Sequence, residues 1–240
     1  MAILIPARFN GPADSANGGV TAGLLAGLLG GDDIEQRAVE VTLRRPPPLQ
    51  IELRVERAEP ATGPAEALRL FDEDRLIAEA AIVDDDDLAP VPPVSQVDAE
   101  RAAARYDGLT DHPFPTCYVC GVERAGHDGL ELFAGRVGTG PDDDRVATPW
   151  QVGRDLDLGA VLVWAALDCP GGWSIGLSGR RAVLGRIRAR VSSLPQPDEA
   201  CVVVGWRDGW QGRKALARTS AYGQDGRLLG VAAQTWIELR

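Results

Sequence analysis

Few side chains in this sequence are placed to do chemistry, and most of them lie close to glycine. Asp168 closes the apolar run Leu158 to Leu167, where an acid is costly unless it is paired or used. A carboxylate within hydrogen-bond reach of a water can act as general base. The other reading is a turn acid that bonds the amides of Cys169-Pro170-Gly171-Gly172. Gln234 falls mid-strand between Ala232 and Trp236, where a buried amide must find partners. It can orient a water, or it can bond the backbone of a neighbouring strand or helix.

Asn17-Gly18-Gly19 opens a second candidate site. Asn17 can cap a helix, whose first amides and dipole favour a developing oxyanion. Gly18 and Gly19 would let a substrate carbonyl approach those amides. Tight packing of helix on sheet requires the same residues, so both readings stand.

Cys117-Tyr-Val-Cys120 is the only close cysteine pair. It is half of a zinc site, with His112 and His127 as the nearest further candidates. Without a second such pair, the expectation is two reduced turn thiols and no metal; Cys169 and Cys201 sit among apolar residues and read as core. Arg186, Arg188 and Arg190 alternate on one strand face, either solvated or in contact with a ligand's phosphates. Trp164, Trp173, Trp206, Trp210 and Trp236 read as core, with some available to line an apolar pocket.

The elements that must position these groups follow from periodicity. Gly18 to Leu29 is apolar nearly all round, so the spacing predicts a buried helix, ended by Gly30-Gly31. RAVEVTL, IELRVER, AEALRLF and RLIAEAAIV then read as strands. The second half repeats the order. An apolar helix through Leu167 is expected to end at Pro170, followed by AVLGRIRARV, ACVVVGW, KALARTSAY and RLLGVAAQTWIEL. The closing strands match by eye, RLIAEAA from Arg75 against RLLGVAA from Arg227, which points to duplication. Between the halves lie the acids Asp84 to Asp87, prolines 90, 92 and 93, and a short helical stretch. The expected division is residues 1–83, a linker 84–111, and residues 112–240. One apolar helix with a few strands leaves a sheet edge and an apolar face uncovered, and pairing two such units covers both.

Composition excludes several classes. A net charge of −10 in 240 residues argues against a nucleic-acid partner. The acid runs Asp84 to Asp87 and Asp142 to Asp144 lack EF-hand spacing and read as solvated loops. No run of eighteen apolar residues predicts a membrane span, and MAILIPARFN does not read as a signal peptide. A cytoplasmic protein is the expectation. Lys214 is the only lysine among 25 basic residues, a skew that fits a GC-rich, bacterial coding sequence.

These motifs, in this order, resemble the acyl-CoA thioesterase-like superfamily. Asp14 through Leu29 looks like the start of the hotdog helix, and Leu43-Arg44-Arg45-Pro46 is similar to the Leu-Arg-Pro strand end of type II acyl-CoA thioesterases. Val163-Trp164-Ala165-Ala166-Leu167-Asp168 resembles that family's Tyr-Ala-Ser-Asp stretch, and Val231-Ala232-Ala233-Gln234 its Val-Ala-Gln strand. The resemblance implies an α+β tandem (double) hotdog, with an antiparallel sheet wrapped around a buried helix in each half. It implies Asp168 and Gln234 as catalytic residues of thioester hydrolysis. It also implies substrate contacts from Asn17, Gly18, Gly19 and Arg186, an acyl-CoA or related thioester as substrate, and no cofactor. A homodimer is compatible with it. Arg186 stands near the family's Thr or Ser, which departs from the pattern. A hotdog that binds thioesters or lipids without turning them over is the alternative. A dehydratase ranks third, because such hotdogs use a pocket histidine and both His112 and His127 lie near the linker.

Overall fold

Alternation of apolar and polar residues accounts for most strands: in Glu52–Ala58, Leu53 and Val55 are buried while Glu52, Arg54 and Glu56 are exposed. The computed structural model describes all residues except 30–36, 59–65, 85–87, 139–143, 154–157 and 240. Its elements are β1 (Ala2–Leu4), α1 (Gly18–Leu29), β2 (Ala38–Leu43), β3 (Glu52–Ala58), β4 (Ala67–Asp72), β5 (Arg75–Val83) and α2 (Gln96–Ala103). Then come β6 (Gly135–Arg136), β7 (Arg145–Gln151), α3 (Ala160–Ser174), β8 (Ala182–Val191), β9 (Ala200–Gln211), β10 (Lys214–Tyr222) and β11 (Leu228–Glu238). No helix among the described residues is long and apolar enough to cross a membrane.

The strands form one antiparallel sheet in the order β1-β3-β4-β5-β2-β8-β11-β10-β9-β7-β6. Outward from its middle the two sides repeat, β2-β5-β4-β3 against β8-β11-β10-β9. The seam pairs β2 with β8 from Val39↔Ala189 to Thr42↔Arg186. Across it Glu40 binds Arg186 at 3.4 Å and Arg188 at 3.2 Å.

α1 and α3 pack on each other and on this sheet. Small residues permit the approach. A Cβ on Gly19 would lie 2.6 Å from the Trp164 carbonyl oxygen, and one on Gly23 would lie 2.9 Å from the Val161 Cα. Asn17 caps α1, its Oδ1 accepting the Val20 N–H at 2.9 Å. The expected stop at Gly30-Gly31 lies outside the described residues.

One expectation is corrected. α3 does not end at Pro170 but continues to Ser174. Proline removes one helical donor, and tertiary donors hold the disturbed turn: the Thr219 hydroxyl and the Gln234 Nε2 both donate to the Leu167 carbonyl. The segment between the halves, moreover, is packed. Val91, Ala99 and Ala102 are fully buried against β7 and β9. Val91 donates its N–H to the Ser220 hydroxyl at 2.9 Å and accepts from the Tyr222 hydroxyl. Of the acid runs, Asp85 to Asp87 and Asp142 to Asp143 lie outside the described residues, whereas Asp144 pairs with Arg207.

Candidate active site

The N-terminus of α1 meets the middle of α3 beneath a cavity of about 290 Å³. Its walls are largely apolar, with Leu43, Phe114, Leu177, Leu184 and Trp236 among them. The polar groups on the wall come from Asn17, Gly18, His112, Asp168 and the cysteines 117, 120 and 169, with Arg44 and Arg45 also lining it. A concave, apolar chamber with few convergent polar groups is the usual form of a small-molecule site.

Asp168 is 2% exposed. Its Oδ2 accepts the Gly19 backbone N–H at 2.8 Å, so the carboxylate sits at the positive end of α1. Its Oδ1 is buried without a hydrogen-bond partner. Burial pushes the carboxyl up to about 7, against the opposing pull of the Gly19 N–H. Among the first amides of α1, Gly19 is bound by Asp168, Val20 by Asn17 Oδ1 and Thr21 by the Asn17 carbonyl. The Gly18 N–H has no partner among the described residues, and Gly18 lines the cavity. Of the two glycines, Gly19 therefore serves helix packing and holds the carboxylate, while Gly18 presents a free donor.

Gln234 comes close to Asp168 but does not line the cavity. Its Nε2 donates to the backbone carbonyls of Leu167 and, at 3.2 Å, Asp168; its Oε1 accepts the Trp236 indole N–H at 2.8 Å. Its donors and acceptor are thus engaged by the disturbed turn of α3 and by Trp236. The sequence Gly171-Gly172 makes room for this. A Cβ on Gly171 would fall 1.7 Å from Gln234 Oε1, and one on Gly172 would fall 2.7 Å from the Trp236 ring.

Arg186 stands apart from the cavity. It lies on the outer face of the seam with a side chain 48% exposed, bound to Thr42 and Glu40, and does not line the cavity. A bulge in the β8–β11 register next to Gly185 sets Arg186 outward while Leu184 faces in. Arg44 and Arg45 are the arginines at the cavity. Arg44 pairs with Glu79 at 2.7 Å, and Arg45 donates to the Leu76 carbonyl at 2.7 Å.

Sequence reasoning missed the convergence of three cysteines. The sulfurs of Cys117, Cys120 and Cys169 lie within 4.8 Å of one another, all buried, and Asn17 Nδ2 stands 3.9 Å from two of them. Hydrogen bonds from the Cys120 and Cys169 thiols pull the Cys117 thiol well below its usual range; burial pushes Cys120 up, and Cys117 as acceptor pushes Cys169 up. No local signal could have joined Cys169, on α3, to a distant cysteine pair. His112 also reaches the cavity, contrary to the expectation that it lies too near the linker. Its Nε2 is 2.9 Å from the Cys120 carbonyl and its Nδ1 accepts the Phe114 N–H at 3.0 Å, and burial lowers its basicity. His127 is solvent-exposed and pairs with Glu131.

No family model matches this sequence, and no curated protein matches it. Solved structures do. The tesB protein of Mycobacterium avium subspecies paratuberculosis aligns with a TM-score of 0.60 at 16% identity, over 100% of this chain and 92% of that one. A protein with hot dog fold from Alicyclobacillus acidocaldarius gives 0.62 at 12% identity, over 100% and 92%. The dehydratase domain of PpsC from Mycobacterium tuberculosis, solved in complex with C12:1-CoA, gives 0.60 at 14% identity, over 99% and 92%. At these identities the likeness establishes the fold, and the fold is the hotdog.

Proposed function

We propose that this chain is a tandem hotdog that hydrolyses an acyl-CoA-type thioester in the α1–α3 cavity. Residues 1–83 and 112–240 are its two hotdog units, each with one helix, joined through 84–111. The observation that carries the activity is Asp168: a buried carboxylate on the cavity lining, with one oxygen held by the Gly19 N–H and the other unpartnered.

The reaction follows from that arrangement. A water bound to Asp168 Oδ1 gives up a proton to the carboxylate as its oxygen attacks the thioester carbonyl carbon. The carbonyl oxygen gains the electron pair and is held by the Gly18 N–H at the positive end of α1. Collapse of this intermediate breaks the C–S bond, and the departing thiolate takes the proton back from Asp168. The products are a carboxylic acid and a free thiol. Gln234 acts by position, fixing the turn of α3 that carries Asp168. Arg44 and Arg45 supply cations for the phosphates of a carrier. The alternative, a hotdog that binds thioesters or lipids without cleaving them, draws support from the engagement of Gln234 away from the cavity. Hydration chemistry on a free imidazole is disfavoured because both nitrogens of His112 are engaged.

Full-length protein incubated with acyl-CoAs of graded chain length, with acid release followed by chromatography, tests the reading. Release above the buffer rate for at least one chain length is expected. No release from any, with tight binding of a non-hydrolysable acyl-CoA analogue, would replace hydrolysis by the binding role.

A further inference from the structure

Three thiols from two distant parts of the chain share one wall of the cavity. Cys117 and Cys120 come from the irregular segment between α2 and β6, and Cys169 from the middle of α3. All three are buried. The Cys117 and Cys169 sulfurs are 3.7 Å apart, and every pair in the group lies within 4.8 Å. A tetrahedral zinc–thiolate site, with Zn–S near 2.3 Å, sets its sulfurs about 3.8 Å apart. A disulfide needs them at about 2 Å.

The backbone around the pair forms a tight turn. Gly121 closes the turn by donating to the Cys117 carbonyl at 2.8 Å. A Cβ there would lie 2.6 Å from the Cys117 nitrogen and oxygen and the Pro115 oxygen, so the turn admits only glycine. His112 donates from Nε2 to the Cys120 carbonyl, its Nδ1 being occupied as acceptor, and Tyr106 donates to the same carbonyl at 2.9 Å. These contacts orient the pair from outside.

The buried indole N–H of Trp173, on the same helix as Cys169, has no hydrogen-bond partner of its own beside the cluster.

We infer that Cys117, Cys120 and Cys169 form a binding site for one thiophilic divalent ion of the zinc class, with its fourth position facing the cavity. Binding replaces three S–H protons by the ion and releases them to solvent. The site ties the irregular segment carrying Cys117 and Cys120 to α3. It stands apart from the hydrolysis reading, because it rests on the thiol cluster and the turn that holds it, and is tested without an activity assay.

Full-length protein, expressed with added zinc and purified under reductant without chelator, should carry about one zinc per chain by elemental analysis. Titrating the metal-free, reduced protein with cobalt(II) should produce a sulfur-to-cobalt charge-transfer band. Cys169→Ser and Cys120→Ser should each lower zinc affinity by about tenfold or more and abolish that band. If a serine variant fails to fold, the cobalt spectrum of the unaltered protein decides alone. A reduced protein that neither carries zinc nor gives the band overturns the inference. So does a disulfide within the trio in protein isolated from the cytosol of the host, or zinc retained at full affinity by both serine variants.

Discussion

The Asp168 carboxylate accepts the Gly19 backbone N–H at 2.8 Å, and that bond ties the middle of α3 to the first turn of α1. One hydrogen bond thus joins the two halves of the chain, anchors a buried acid at a helix N-terminus, and leaves the acid's second oxygen without a partner.

Asp168→Asn keeps an oxygen for Gly19 and removes the base. It should fold with a melting temperature close to that of the parent, and lower kcat for thioester hydrolysis by about 10²- to 10⁴-fold. Steady-state kinetics beside a thermal melt check this; activity within about tenfold of the parent would place the base elsewhere.

Gly19 and Gly27 lie on the same helix in opposite surroundings. A Cβ at Gly19 meets α3 backbone at 2.6 Å, whereas nothing lies within 4 Å of one at Gly27. Gly19→Ala should cost about 1–3 kcal/mol by overpacking. Gly27→Ala should gain about 0.5–1 kcal/mol from helix propensity. Denaturant titrations of the two variants should move in opposite directions.

Gln234 separates a positioning role from a catalytic one. Gln234→Met conserves volume but leaves the buried Trp236 N–H unpaired and removes a donor from Leu167. The expected result is a loss of about 1–3 kcal/mol in stability, with kcat lowered and KM unchanged. An unaltered melt with kcat reduced as far as in Asp168→Asn would instead assign Gln234 to the reacting water.

Glu199 gives a pH signature away from the cavity. Its side chain is buried, and bonds from the Arg227 guanidinium and the Gln196 and Gln224 N–H groups hold its carboxyl below the usual value of 4.5. A depressed folded-state value means stability present above the unfolded value and lost as pH falls through the folded one. Glu199→Gln should therefore be less stable than the parent at neutral pH, and the gap should narrow below about pH 4.5. A gap that stays constant down to pH 2.5 would show the ion pair to be without effect on folding.

Much of the framework was legible in the residues themselves. Strand periodicity located β2 to β5 and β8 to β11, because alternation on a half-buried strand is a local property. The all-round apolar stretch at Gly18 marked a helix, and Asn17 marked its start, because a cap is made within one turn. The strands β1 and β6, of three and two residues, were too short to be read, and β7 does not alternate, with Val146, Ala147 and Thr148 buried in succession.

Direction and convergence belonged to the tertiary structure. Asp168 could be singled out as a costly acid, yet only packing decided that its partner is Gly19 rather than its own following turn. Pro170 reads locally as a helix stop, but Thr219 and Gln234 arrive from the sheet and hold the turn, so α3 runs on. Arg186 turned outward because of a bulge at Gly185. Cys169 joined Cys117 and Cys120 because α3 passes beside their loop. Periodicity and capping are set by neighbours in the chain, whereas a side chain's partner is set by which distant surfaces the fold presses together.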